Sequence, residues 1–116
     1  MLFANMKRNV DRIDNVRAQE VALWSDTLRL AGRVDCVAEF DGKLSIIDFK
    51  GSTKRKSPSK ISNYFCQATA YAIMWHEMMG ESIDQVVILI SCEDGASQVF
   101  VKDPKDYVPE LRRSIL

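Results

Sequence analysis

The dipeptide Asp41-Gly42 constrains this chain more than any other feature, because it sits between two runs of alternating apolar residues. A type I′ turn needs positive φ at both central positions, and Asp-Gly adopts that conformation readily, so the pattern predicts a β-hairpin. With a two-residue turn, Phe40 faces Lys43, and counting outward sets Asp35 across from Asp48. Like charges opposite each other on one sheet face repel, their Cβ atoms being about 5 Å apart. Something cationic is therefore expected between them. Strand side chains alternate faces, so Lys50 falls on the side of Asp48 while Phe49 points away. Two carboxylates and an ammonium on one surface suit the binding of a divalent metal and the activation of water.

The 116 residues are enough for one domain, spanning 1–116, and leave no room for a second core. Hydrophobic content of 47% and charged content of 28% fit a globular protein. No apolar run approaches the roughly 20 residues that cross a bilayer, so no membrane partner is expected. The opening Met1-Leu2-Phe3-Ala4-Asn5-Met6-Lys7 reaches charge too early for a signal peptide. The expected location is intracellular, cytoplasmic or nucleoid-associated, and inside the host cell for a phage-encoded chain. Cys36, Cys66 and Cys92 are odd in number and widely spaced, which argues for reduced thiols rather than a disulfide framework or zinc knuckle. Formal net charge is zero, so a polyanion has to be held by a local patch. Lys54-Arg55-Lys56 with Lys60, uninterrupted by acids, is the candidate.

Along the chain, Phe3, Met6, Val10, Ile13 and Val16 recur at three- and four-residue spacing, which predicts an amphipathic helix over about 3 to 18. Strands are expected from Glu20 to Trp24, from about Thr27 to Phe40, and from Lys43 to Lys50. Gly32, inside the second of these, marks a bulge or a close approach by another backbone. Ser59 is placed to cap a main packing helix over roughly Lys60 to Met79, stopped by Gly80. Val86 to Ile90 is a continuous apolar run, as in a strand buried on both faces. Gln98 to Lys102 makes a last short strand, and Asp103-Pro104 resembles the start of a terminal helix. The expected order is helix, three strands, helix, two strands, helix.

Gly32-x-x-Asp35, then Asp48-x-Lys50, then Gln67-x-x-x-Tyr71 on the following helix together resemble the PD-(D/E)XK nuclease superfamily. More narrowly, they are similar to its RecB-like and Cas4-like branch, which includes the mitochondrial genome maintenance exonuclease. The motifs run from about Glu20 to Tyr71, and the element order extends the likeness over nearly the whole chain. The resemblance implies an α/β (α+β mixed) fold with a restriction-endonuclease-like αβββαβ core, a central mixed sheet flanked by helices. It implies that Asp35 and Asp48 bind metal, with the Phe49 carbonyl as a further ligand and Glu20 as an upstream acid. Lys50 is then the motif lysine beside the attacking water, and Gln67 and Tyr71 pack beside the site and contact DNA. Lys54, Arg55, Lys56 and Lys60 follow the site strand and are expected to meet phosphates.

A site with few acids and no histidine or thiolate fits Mg²⁺, with Mn²⁺ able to substitute. The implied activity is hydrolysis of DNA phosphodiester bonds, most readily as an exonuclease on single-stranded or end-exposed DNA. A structure- or site-specific endonuclease, dimeric in some forms, is the alternative, and a non-catalytic nucleic-acid-binding subunit is the rival from another class; a homo-oligomer is left open. Branch members with an iron–sulfur cluster use four cysteines, which this chain does not have, so no cluster is expected. Plainer readings stand beside these. Asp35 and Asp48 could pair with Arg33 and Lys50 as a surface lattice, Glu20 could be a strand-end charge, and Gln67 and Tyr71 could serve helix packing alone. Trp24 and Trp75 are expected in the core, His76 at the surface, and Cys36 buried on the sheet's opposite face.

Overall fold

The computed structural model describes residues 11–26, 29–52, 62–93 and 97–109. These form a five-stranded sheet of β1 (Ile13–Ser25), β2 (Leu30–Phe40), β3 (Lys43–Ser52), β4 (Gln85–Cys92) and β5 (Ser97–Lys102). Helix α1 (Ser62–Met79) connects β3 to β4, and a 3₁₀ turn follows over Pro104–Tyr107. The strands lie side by side in chain order, and all neighbours are antiparallel except β3 and β4, which run parallel. A parallel pair needs a long crossover, and α1 provides it.

Asp41 and Gly42 have φ of 53° and 82°, as the two-residue turn requires. The ladder it sets runs from Phe40↔Lys43 to Cys36↔Ile47, the register counted from the sequence. Arg12 pairs with Asp41 and lies over the Phe40 ring, 4.4 Å from its centroid, so the turn is tied to the start of β1.

The expected amphipathic helix over 3 to 18 is corrected at its C-terminal end: Ile13 to Ala18 belong to β1, and residues 1–10 lie outside the described residues. Asn15 has φ of 47°, and the pairing with β2 shifts between Asp14 and Ala18. Such an irregularity adds residues to one strand and breaks the two-residue period, so apolar positions fall at helix-like intervals. Val16, counted toward the helical stripe, is exposed. Trp24 is likewise not core: it is 54% exposed at the far end of β1, whereas Trp75 is buried as expected.

Helix α1 lies on one face of the sheet. Its Phe65, Ala68, Tyr71, Ala72, Met74 and Trp75 pack with Leu23, Val34, Val37, Ile46, Val86, Ile88 and Ile90. Gly80 ends it with φ of 74°, its N–H donating to the His76 carbonyl at 2.9 Å. The opposite face carries a second cluster of Cys36, Ala38, Phe40, Ile47, Val87 and Leu89. Every residue of β4 is buried, which explains why its sequence reads as an unbroken apolar run. Each such side chain removed from water contributes roughly 1.5–3 kcal/mol. Asp103 caps the 3₁₀ turn, its carboxylate accepting from Lys105 N–H at 2.9 Å; the turn passes into helix at Val108 and Pro109, beyond which the expected terminal helix lies outside the described residues.

Candidate active site

β2 and β3 stop pairing after Cys36↔Ile47, while β3 continues beside β4 as far as Ser52↔Cys92. A crevice therefore opens on β3 at the point where β2 leaves it, with Asp35 and Phe49 on its lining and the buried Asp48 next to Phe49 in the strand. Where the ladder ends, the Phe49 N–H loses its strand partner and donates instead to Asp35 Oδ2 at 2.9 Å. Phe49 is exposed, so the contact serves chiefly to fix the Asp35 carboxylate.

The same point carries a slip in strand phase. On β1 the residues turned toward α1 are Ala18, Val21 and Leu23, and on β2 they are Val34 and Val37, so each strand has one three-residue step in place of two. Glu20 lies within the β1 step with φ of 47°, and Asp35 lies within that of β2. A shallow cleft of about 440 Å³ results, lined by Gln19, Glu20, Asp35 and Phe49. Glu20 is exposed there, and Arg33 Nε donates to its carbonyl at 3.2 Å rather than pairing with either aspartate.

Asp48 is 8% exposed, more enclosed than a surface lattice would place it. Burial and a hydrogen-bonding contact with Asp35 push its carboxyl up to about 6, against a partial opposing pull from Lys50. Lys50 Nζ lies 3.0 Å from Asp48 Oδ2. Burial alone would lower the pKa of that amine, but the Asp48 carboxylate outweighs it, and the ammonium is held above its ordinary range. The pair thus stays charged at neutral pH. On the far side of Lys50, the Tyr64 ring centroid is 4.8 Å from Nζ.

Gln67 and Tyr71 lie one turn apart on α1, with Gln67 Nε2 donating to Tyr71 Oη at 3.1 Å. Tyr71 is nearly buried, and burial together with the negative charge of Asp48 raises its phenol pKa, so the group is neutral. Its ring lies over Gly32: a Cβ on that glycine would come within 2.7 Å of Tyr71 Cε1 and 3.0 Å of Oη. The expected close approach at Gly32 is real but is made by a side chain rather than another backbone. It joins the Gly-x-x-Asp and Gln-x-x-x-Tyr motifs physically.

The structure therefore brings Asp35, Asp48, Lys50 and the Phe49 backbone together, sets Tyr71 and Gln67 behind them, and puts Glu20 on the same cleft as Asp35. Lys54, Arg55, Lys56 and Lys60 lie outside the described residues. Cys36 faces the second cluster, its thiol pKa raised by burial and by Asp35. Tyr64 was not picked out by the sequence motifs. Its signal was there nonetheless, because it precedes Tyr71 by two helical turns and so shares that residue's face.

Crossover topology, motif order and this cluster together place the chain in the restriction-endonuclease-like class of folds. The family model of the PD-(D/E)XK nuclease superfamily matches residues 3–115, and the chain belongs to that superfamily. A stretch of 44 residues, 38% of the chain, is 50% identical to human mitochondrial genome maintenance exonuclease 1 and covers 13% of that protein. The corresponding mouse protein is 48% identical over 44 residues, again 38% of the chain and 13% of the relative. The matched stretch is thus a small part of either relative's length. The fold is also that of the crystal structure of a presumptive exonuclease from Eubacterium rectale. That likeness has a TM-score of 0.67 at 11% identity, over 98% of this chain and 47% of that one. No helix among the described residues is long and apolar enough to cross a membrane.

Proposed function

We propose that the chain is a divalent-metal-dependent deoxyribonuclease in which Asp35, Asp48 and Lys50 are the catalytic centre, acting as an exonuclease on single-stranded or end-exposed DNA. The observation that carries this reading is a half-buried lysine on a buried aspartate, itself crowded by a second aspartate, in a crevice of a superfamily of nucleases.

The donor set fits a hard cation. Among the described residues no three His, Cys, Asp or Glu side chains converge, so the oxygens on offer are those of Asp35 and Asp48 with the Phe49 carbonyl, and Glu20 across the cleft. Mg²⁺ is commonly held by one or two carboxylates and keeps several waters, which matches so sparse a set; Mn²⁺ accepts the same ligands. Burial first, and then the neighbouring Asp35, raise the pKa of Asp48, and the charge of a cation would oppose both. When bound, a divalent ion lowers the pKa of water and offsets the charge that develops on phosphorus oxygens.

The protein's own groups supply the rest. Asp35 is held in one orientation by the Phe49 N–H, so its carboxylate needs no reordering before use. Lys50 remains an ammonium at neutral pH and so acts as a hydrogen-bond donor to the attacking water or a non-bridging phosphate oxygen, not as a proton acceptor. Tyr71, neutral and fixed by Gly32 and Gln67, closes the helix side of the crevice and offers a phenol toward the substrate. Lys54, Arg55, Lys56 and Lys60 follow in the sequence and are assigned to the DNA backbone.

The deciding experiment incubates the purified chain with Mg²⁺ and either linear or closed circular single-stranded DNA, beside Asp48→Ala. Loss of the linear strand with the circle intact, and neither affected by Asp48→Ala, is the expected result. Cutting of the circle would make the protein an endonuclease. DNA binding with no metal-stimulated cleavage, unchanged in Asp48→Ala, would make it a binding subunit.

A further inference from the structure

Lys50 has two neighbours that hold its ammonium. One is Asp48, 3.0 Å from Nζ, and the other is the Tyr64 ring, whose centroid is 4.8 Å away. Under the function proposed above, on which this inference rests, Asp48 has a competing duty, because the oxygen that pairs with Lys50 belongs to a carboxylate assigned to a cation. A ring has no such duty. Its face carries the negative end of the aromatic quadrupole and attracts an ammonium without accepting a proton or binding a hard metal ion.

The placement is also rigid. Tyr64 is half-buried, packs against the core under α1, and lies on the same helix face as Tyr71. Lys50 extends from the other side of the crevice, on β3, with its stem partly enclosed. Ring, ammonium and carboxylate therefore form a bridge between helix and sheet at the site. Lysine has four rotatable side-chain bonds, so a single contact leaves much of its freedom intact.

We propose that Tyr64 is the positioning residue of the motif lysine: its ring face holds the Lys50 ammonium in place when Asp48 is engaged by a divalent cation, and the aromatic ring rather than the hydroxyl is what matters. Two substitutions separate these features. Tyr64→Phe keeps the ring, and Tyr64→Leu removes it while keeping a smaller apolar side chain.

The direct readout is the proton shift of the Lys50 ε-methylene in lysine-labelled, metal-free protein, assigned by its loss in Lys50→Arg. A ring at this distance moves the signal upfield of the other lysines. Wild type and Tyr64→Phe are expected to share that shift, and Tyr64→Leu to return it to the position of exposed lysines. With Mg²⁺ and linear single-stranded DNA, Tyr64→Phe is expected to keep kcat, whereas Tyr64→Leu loses roughly three- to thirty-fold in kcat at little changed KM. A Lys50 signal without upfield displacement in wild type overturns the proposal, as does full kcat in Tyr64→Leu or equal impairment of Tyr64→Phe and Tyr64→Leu. Should wild type cleave no DNA, the nuclease reading falls and the seating of Lys50 by Tyr64 is judged by the shift alone.

Discussion

At Asp48, burial and the neighbouring Asp35 both oppose ionisation, and the Lys50 ammonium offsets only part of that opposition. The carboxyl pKa is about 6 in the folded protein against an ordinary value of 3.8, so between those values the native state holds a proton that the unfolded chain has released. Stability must then fall as pH rises through this window, and the penalty is complete above the folded pKa. Urea unfolding in the presence of a chelator, followed from about pH 4 to about pH 7, should show this decline, and Asp48→Asn should flatten it. A decline that survives in Asp48→Asn would mean that another group carries it. The same sign governs the metal: a protonated carboxyl binds it poorly, so Mg²⁺ should raise Tm more above pH 7 than near pH 5. For turnover, Lys50→Ala should cost roughly 10²–10³-fold in kcat, the loss typical of one preorganised donor. Because Lys50 is only half-buried, Lys50→Ala should leave far-UV circular dichroism unchanged; unfolding would mark the ion pair as structural.

β2 and α1 meet where Gly32 lies under Tyr71, and no side chain larger than hydrogen fits there without displacement. Gly32→Ala should destabilise by about 1–3 kcal/mol, the usual cost of overpacking. Combined with Tyr71→Ala, which removes the obstructing ring, it should cost less than the two single changes added together; strict additivity in thermal or urea unfolding would show that the contact is not felt. How far such features can be read from sequence depends on whether their cause is local. The hairpin was legible because Asp41-Gly42 carries its own conformational preference, and once that turn was set counting gave the ladder as far as Cys36↔Ile47; one step further, at Asp35 and Asp48, the strands no longer pair. Helix α1 and β4 were legible through length, a glycine stop and an unbroken apolar run. The start of β1 was not, since the positive φ at Asn15 and the shifted pairing place Ile13 and Val16 at an interval that also suits a helix. Only the partner strand decides between the two. Trp24 misled for a related reason: its size suggested core, but its place near the end of β1 leaves it outside the packing. The Gly32–Tyr71 and Lys50–Tyr64 contacts join residues distant in the chain, so the sequence named three of the four partners without showing how they meet.

A chain with zero formal net charge has no overall field to draw a polyanion, so whatever DNA affinity it has must arise from where its charges sit. The crevice itself is poorly suited to that task, since Asp35, Asp48 and Glu20 repel phosphate until a cation compensates them. The nearest concentration of positive charge along the chain is Lys54-Arg55-Lys56, which begins four residues after Lys50. Under the function proposed above, these three side chains are assigned to phosphates of the bound strand. Each cationic side chain that neutralises a phosphate releases a counterion, and the logarithm of affinity for a single strand falls with the logarithm of salt by about 0.7 per contact. Replacing Lys54, Arg55 and Lys56 together by Gln should therefore weaken binding of single-stranded DNA and make that slope shallower by about two. Fluorescence anisotropy with a labelled oligonucleotide over a salt series, in Ca²⁺ to suppress turnover, measures both quantities. Weaker binding with an unaltered slope would mean that the three residues shape the protein rather than contact phosphate. Unchanged affinity and slope would move the DNA path elsewhere on the surface and leave Lys60 and the crevice to account for it.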